Sequence, residues 1–190
     1  FFNNGVRHDL ARKFAASNLD GNRSLEAGLD LFFKGTNYCL AINQFERYSY
    51  ELRNHLYEKI IRNWIDNVGI QLLGFESYLF SGKYELTPFG VHNDIEDTIL
   101  MHLGPGELTV YHWREEDFLK SASKLDIHAG GFKTDDLKEF ANEIIMQAGD
   151  LLYIPNSDYH VMERKEFSVT LGLIGYPINS EYICKRILNP

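Results

Sequence analysis

The hydrophobic period of this chain changes once, near residue 73, and that change limits the folds open to it. Upstream, apolar residues recur at helical spacing. Leu10, Phe14 and Ala15 form one stripe, Leu25, Leu29, Phe32 and Phe33 a second, and Leu52, Leu56, Ile60, Ile61 and Trp64 a third. Ser24 ahead of Leu-Glu-Ala predicts a helix start, Gly35 a stop, and the run from Tyr38 to Ile42 a short buried strand. Downstream the pattern becomes short apolar runs cut by Gly, Pro and Asn. Strands are predicted near 75–80, 90–94, 97–103, 107–113, 143–146, 150–154, 158–163 and 167–174. One helix, about 134–141, interrupts them, with Thr134 as its N-cap. Short strands joined by tight turns describe a β-sandwich or a small barrel.

No repeat or linker divides the 190 residues, so they read as one domain. Residues 1–72 form a helical N-terminal region, 73–176 a β core with an insertion at 114–142, and 177–190 a tail. With 27 acidic against 19 basic side chains the net charge is −8, which would repel a phosphate backbone and argues against nucleic acid as a partner. No apolar run approaches the roughly 20 residues needed to cross a bilayer, so no membrane span is expected. Two cysteines, Cys39 and Cys184, make no disulfide framework and suit a reducing, cytoplasmic setting. The first residue is Phe, so a signal peptide cannot be judged.

Seven histidines are present, and the stretch Phe89-Gly-Val-His92-Asn-Asp94 is the most informative. Residues two apart on a strand share a face, so His92 and Asp94 converge on one point. An imidazole nitrogen and a carboxylate oxygen there supply two members of a facial triad for non-haem Fe(II). A third candidate is His160, which follows the apolar strand and break Gly149-Asp-Leu-Leu-Tyr-Ile-Pro155. Closing a small barrel can bring such a histidine opposite an earlier strand.

Several segments, in this order, resemble the double-stranded β-helix of the JmjC/cupin-type Fe(II)- and 2-oxoglutarate-dependent hydroxylases. They are Glu76-Ser-Tyr-Leu-Phe80, Phe89 to Asp94, Thr98-Ile-Leu-Met-His-Leu-Gly104, Gly149 to Pro155, His160, and Phe167-Ser-Val-Thr-Leu-Gly172. The resemblance spans 75–176 apart from 114–142. It implies a mainly β jelly roll with N-terminal helices, and His92, Asp94 and His160 as ligands of Fe(II) and so as the catalytic centre. It also implies 2-oxoglutarate as co-substrate, with Tyr78, Thr98 and His102 lining its pocket. The expected reaction is hydroxylation of a side chain of a protein, peptide or amino acid.

Such enzymes place a Lys or Arg about 15 residues after the first His, where it binds the distal carboxylate of 2-oxoglutarate. Position 107 is Glu, an anion that would repel it. Lys83, Arg114, Arg164 and Lys165 are other cations, each expected to be a solvated surface charge. Two alternatives therefore stay open: a cupin-type metalloenzyme that does not use 2-oxoglutarate, and a non-catalytic binding module. His112 reads as strand-edge decoration, His128 as a loop residue, and His8 and His55 as solvent-facing helix residues. Residues 114–133 read as a long loop, of the kind that forms lids. The oligomeric state is not legible in the sequence.

Overall fold

A computed structural model describes residues 2–3, 6–7, 23–71, 74–87, 89–124 and 134–176. Strands β1 (Phe2–Asn3) and β2 (Val6–Arg7) open the chain, where the helical spacing predicts no strand. The stripe through Leu10, Phe14 and Ala15, together with His8, His128 and the tail 177–190, lies outside the described residues.

Helix α1 (Leu25–Phe33) starts where the sequence places it. The Ser24 hydroxyl accepts from the amide of Ala27 at 3.2 Å, satisfying one of the donors a helix start leaves open. Lys34 and Gly35 then take left-handed backbone angles and end it. Strand β3 (Tyr38–Asn43) follows. The third apolar stripe forms α2 (Tyr50–Leu56), capped by Ser49, a π turn at Tyr57–Ile61, and α3 (Arg62–Val68). Among the described residues no helix is long and apolar enough to cross a membrane.

The β region comprises β4 (Phe75–Tyr84), β5 (His92–Asn93), β6 (Asp97–Pro105), β7 (Leu108–Trp113), β8 (Asn142–Met146), β9 (Leu151–Ile154) and β10 (Tyr159–Gly175). The two predicted runs at 158–163 and 167–174 are one continuous strand, β10. The predicted strand at 90–94 shortens to β5. Between β7 and β8 the charged stretch predicted as a loop contains helix α4 (Glu115–Lys124), and the later helix is α5 (Thr134–Lys138).

All strand pairs are antiparallel, and they build two faces joined through β10. One sheet runs β2-β1-β3-β4-β10-β6-β9, while the N-terminal half of β10 pairs with β5 and β7, and β7 with β8. A register shift between Arg164 and Ser168 lets the strand pass from one sheet to the other. The result is a double-stranded β-helix, the expected jelly roll.

Alternation along the strands sorts the apolar residues. Phe80, Leu100, Leu108, Val110, Ile154 and Met162 meet inside the barrel. Leu79, Met101, Leu171 and Leu173 face outward and are covered by Leu56 and Trp64 from α2 and α3. Fully burying each such side chain stabilises the fold by about 1.5–3 kcal/mol relative to leaving it exposed. The N-terminal helices therefore buttress the back of the larger sheet and leave the barrel interior open at one end.

Candidate metal centre

His92 and His160 stand opposite each other in the ladder between β5 and β10, with ring centroids 4.5 Å apart. Asp94 lies just past the end of β5, where its carbonyl accepts from the Ser157 amide at 3.0 Å and ties the two segments together. Its carboxylate spans the two rings: Oδ1 is 3.8 Å from His92 Nε2 and Oδ2 is 3.7 Å from His160 Nε2. The three potential donor atoms all lie within 4.8 Å of one another.

The protonation pattern suits a cation. His92 Nδ1–H donates to the Gly90 carbonyl at 3.0 Å, which fixes the ring and leaves the Nε2 lone pair facing Asp94. His160 is buried, and that burial, reinforced by His92 and partly offset by Asp94, lowers its pKa to about 4. It is therefore a neutral imidazole near pH 7. Two imidazole nitrogens, the one on His160 kept neutral by burial, and one carboxylate fit a divalent transition metal and leave positions open for other ligands.

A cavity of about 420 Å³ opens on these residues. Asn43, Tyr78, Phe80 and Ile174 form its wall on the larger sheet, Met162 faces them, and Phe89 and Glu96 close its sides. Among the described residues no Lys or Arg lines it. Burial and Asp94 push the Tyr78 hydroxyl up, while Thr98 eases its ionisation. Burial, then Asp94, also raises the Glu96 carboxyl.

The co-substrate residues expected from the sequence divide. Tyr78 lines the cavity. Thr98 does not; it is buried beside Tyr78. His102 is a correction. It is fully buried away from the cavity, its Nε2–H donates to the Gly106 carbonyl at 2.6 Å, and its Nδ1 takes the Thr170 hydroxyl at 3.2 Å. An apolar strand tolerates an imidazole when both nitrogens are bonded, which is the case here.

Two charges also depart from expectation. Glu107 is exposed and accepts from Gln147 Nε2 at 2.6 Å, so it does not repel anything inside the barrel; its neighbour Leu108 is the buried one. Arg164 is no surface charge, being only 1% exposed. Its guanidinium donates to the carbonyls of Phe80 and Ser168 and to the Thr170 hydroxyl, and it sits over the Tyr84 ring. No carboxylate pairs with it among the described residues. The sequence presents it inside Glu163-Arg-Lys-Glu166, which looks solvated, yet the two-residue alternation from His160 through Met162 points it inward.

Helix α4 of the insertion packs behind the barrel strands, and residues 125–133, the rest of the stretch expected to form a loop, lie outside the described residues. Phe118 of α4 stacks on Tyr159 with ring centroids 3.7 Å apart, and Trp113, Leu137 and Val161 complete the cluster, with Val91 packed against it. Those contacts back the strands that carry His92 and His160. His112, read as edge decoration, bonds Asp158 at 3.0 Å opposite His160. Asn43, Phe80, Phe89 and Glu96 were missed as cavity residues. For Glu96 the signal was present, since the alternation joining His92 to Asp94 reaches it next.

A double-stranded β-helix with a His-carboxylate-His cluster at its open end defines a class of β-barrel protein with a candidate metal centre. Within it, the profile of the JmjC domain matches residues 54–180, and the chain belongs to the JmjC domain family. Among solved structures, the ribosomal oxygenase YcfD from Escherichia coli superposes with a TM-score of 0.53 at 13% identity, over 80% of this chain and 34% of that one. A putative ethanolamine utilization protein Q from Salmonella typhimurium is 15% identical over 55% of this chain and 59% of that one, at a TM-score of 0.36. A cupin superfamily protein from Desulfitobacterium hafniense is 17% identical over 53% and 66%, at 0.34. The chain thus spans about a third of YcfD and under two-thirds of the ethanolamine utilization protein. At these identities the likeness is one of fold. No curated protein matches the chain in sequence.

Proposed function

We propose that the chain is an Fe(II)-dependent oxygenase that hydroxylates a side chain of a protein, peptide or amino acid, with 2-oxoglutarate as co-substrate. The observation that carries this reading is the convergence of His92, Asp94 and His160 on one point at the edge of a cavity large enough for a small molecule. His92, Asp94 and His160 would hold the metal, and Asp94 would offset part of its charge. When bound, iron with 2-oxoglutarate supplies oxidative chemistry that no side chain can perform. The chain's own part is positional. Gly90 orients His92, burial keeps His160 neutral, and Phe80, Phe89, Met162 and Ile174 exclude water from the cavity.

Tyr78 would offer its hydroxyl to the distal carboxylate of 2-oxoglutarate, with Thr98 buried beside it. Arg164, on the same inward face of β10 as His160, adds a positive potential deeper in the barrel. A second reading, a cupin-type metalloenzyme that does not use 2-oxoglutarate, is favoured by the lack of any basic residue in the cavity wall among the described residues. Succinate production by Fe(II)-loaded protein, wild type against His92→Ala, separates the two. Succinate from the wild type alone supports the first. Metal binding without succinate supports the second, and no metal binding supports a non-catalytic module.

A further inference from the structure

The larger sheet carries a second cavity, on the face turned away from the metal centre. Alternation along β4 and β10 separates the two. Tyr78 and Ile174 turn into the barrel, while Ser77 and Leu173 turn outward beneath α2 and the π turn. The outer cavity has a volume of about 160 Å³. At the close-packed density of protein interiors that is room for roughly eight or nine non-hydrogen atoms.

Its floor is a gap in the apolar layer between helices and sheet. Leu56 and Leu173 are buried there, with Ile61 and Phe75 packed beside them. A void forfeits dispersion contacts of its lining, and a molecule that fills it recovers them. The π turn Tyr57–Ile61 forms one wall, and such turns gather at functional sites.

Charged groups of both signs line the same cavity without neutralising one another. Glu46, on the turn Phe45–Arg47, uses Oε2 to accept from the Ser77 amide at 2.9 Å and the Ser77 hydroxyl at 2.7 Å. Glu76 accepts from Gln44 and Tyr176, both neutral. Arg53 stands on α2 at the mouth, its guanidinium 5.0 Å from the centre of the exposed Tyr50 ring. Among the described residues no ion pair joins Arg53 to either glutamate, and no other Lys or Arg lines the cavity. Elsewhere in this fold such charges do pair, as Lys83 with Asp30 and Lys138 with Glu163.

A ligand that satisfies this lining needs a cation for the glutamates, an anion for Arg53 and an apolar stem for the floor. A side chain of an intact partner protein brings one charge at most and would leave the other unmatched. We infer that the outer cavity is a binding site for a free apolar α-amino acid of about the size of valine or leucine. Its ammonium meets Glu46 and Glu76, its carboxylate meets Arg53, and its side chain fills the gap against Leu56 and Leu173.

The test titrates ¹⁵N-labelled protein with leucine, leucinamide, N-acetyl-leucine and glutamate, followed by amide shifts. Leucine should bind with a Kd below about 1 mM, move the amides of Glu46, Arg53 and Ser77, and raise the thermal midpoint. Leucinamide and N-acetyl-leucine each lack one charge and should bind at least about tenfold more weakly, because a charged wall group is then left unpaired. Arg53 is exposed, so Arg53→Met should keep the fold, weaken leucine at least about tenfold and leave leucinamide unchanged. Glu46→Gln keeps an acceptor for Ser77 and should weaken leucine while sparing N-acetyl-leucine. Equal binding of all four probes, or no saturable shift with leucine up to about 10 mM, overturns the inference. So does leucine affinity that survives in both variants, or a shift confined to the amides of Tyr78 and Glu96 in the other cavity.

Discussion

The ring of Tyr78 fills the space directly above Gly172. A Cβ built on Gly172 would collide with the ring carbons and hydroxyl of Tyr78, its ladder partner across β4 and β10. Glycine at 172 is thus what allows a tyrosine to lie flat in the barrel and line the cavity. Gly172→Ala should cost about 1–3 kcal/mol through overpacking. A urea titration checks this, and a change below a few tenths would mean that Tyr78 has room to move.

Removing a metal ligand should separate binding from folding. Asp94→Asn and His92→Ala should each lower divalent-metal affinity by more than about 100-fold, beyond what loss of an outer-shell partner costs. The thermal midpoint of the metal-free protein should hold, since neither side chain packs in the core. Metal titration alongside a melting curve reads both quantities. Retained affinity in either variant would remove that residue from the centre.

Phe118 supports the centre from behind. Phe118→Ala should destabilise the protein by about 3–5 kcal/mol, as expected for a buried aromatic. It should also weaken metal binding, because Tyr159, on which Phe118 stacks, adjoins His160. A more conservative Phe118→Leu should recover most of both losses. Metal affinity unchanged in a folded Phe118→Ala protein would show that α4 does not hold the site.

Arg164 predicts an effect on the co-substrate. Arg164→Met keeps much of the volume and removes the charge. If 2-oxoglutarate enters the barrel, its KM should rise by about tenfold or more with metal affinity unaltered. An unchanged KM would confine Arg164 to a structural role at the closed end.

Stability should depend on pH through His102. Burial, assisted by Arg164, lowers its pKa in the folded state. Above the unfolded value of about 6.5 both states are neutral and no penalty arises. As pH falls from there, the unfolded chain takes a proton that the folded one refuses, so stability declines until the folded pKa is reached. Metal-free His160 adds to this decline down to about pH 4. Urea midpoints at pH 7.5 and 5.0 should therefore differ, and His102→Gln should narrow the gap.

The residues that make the ladder legible are those with strong alternation. His92 and Asp94 share a face by spacing alone, and the resemblance added His160. Helix α4 was hidden because Glu115, Glu116 and Asp117 followed by Lys120 and Lys124 read as a solvated loop. The signal lay in Phe118, Ser121 and Ala122, spaced for one helix face and turned to the barrel. The second case is His102. It lies on the same strand face as Thr98, but spacing cannot say how deep a residue sits. Two hydrogen bonds to Gly106 and Thr170 show that it belongs to the closed end and not to the cavity. Glu107 was misread for a similar reason, since counting from His92 ignores which way the turn at Gly104–Gly106 leaves the side chain.

Strand β10 gives the barrel its closure, and it comes after every strand it joins. Its partners β4, β5, β6 and β7 are made first and wait with open edges, some for about the time of 70 to 90 further peptide bonds at roughly 5–20 residues per second. His160 travels on that same strand. During synthesis, therefore, a nascent chain carries His92 and Asp94 but has no complete ligand set until β10 has docked. The centre cannot form ahead of the fold, and an interrupted translation product would have neither.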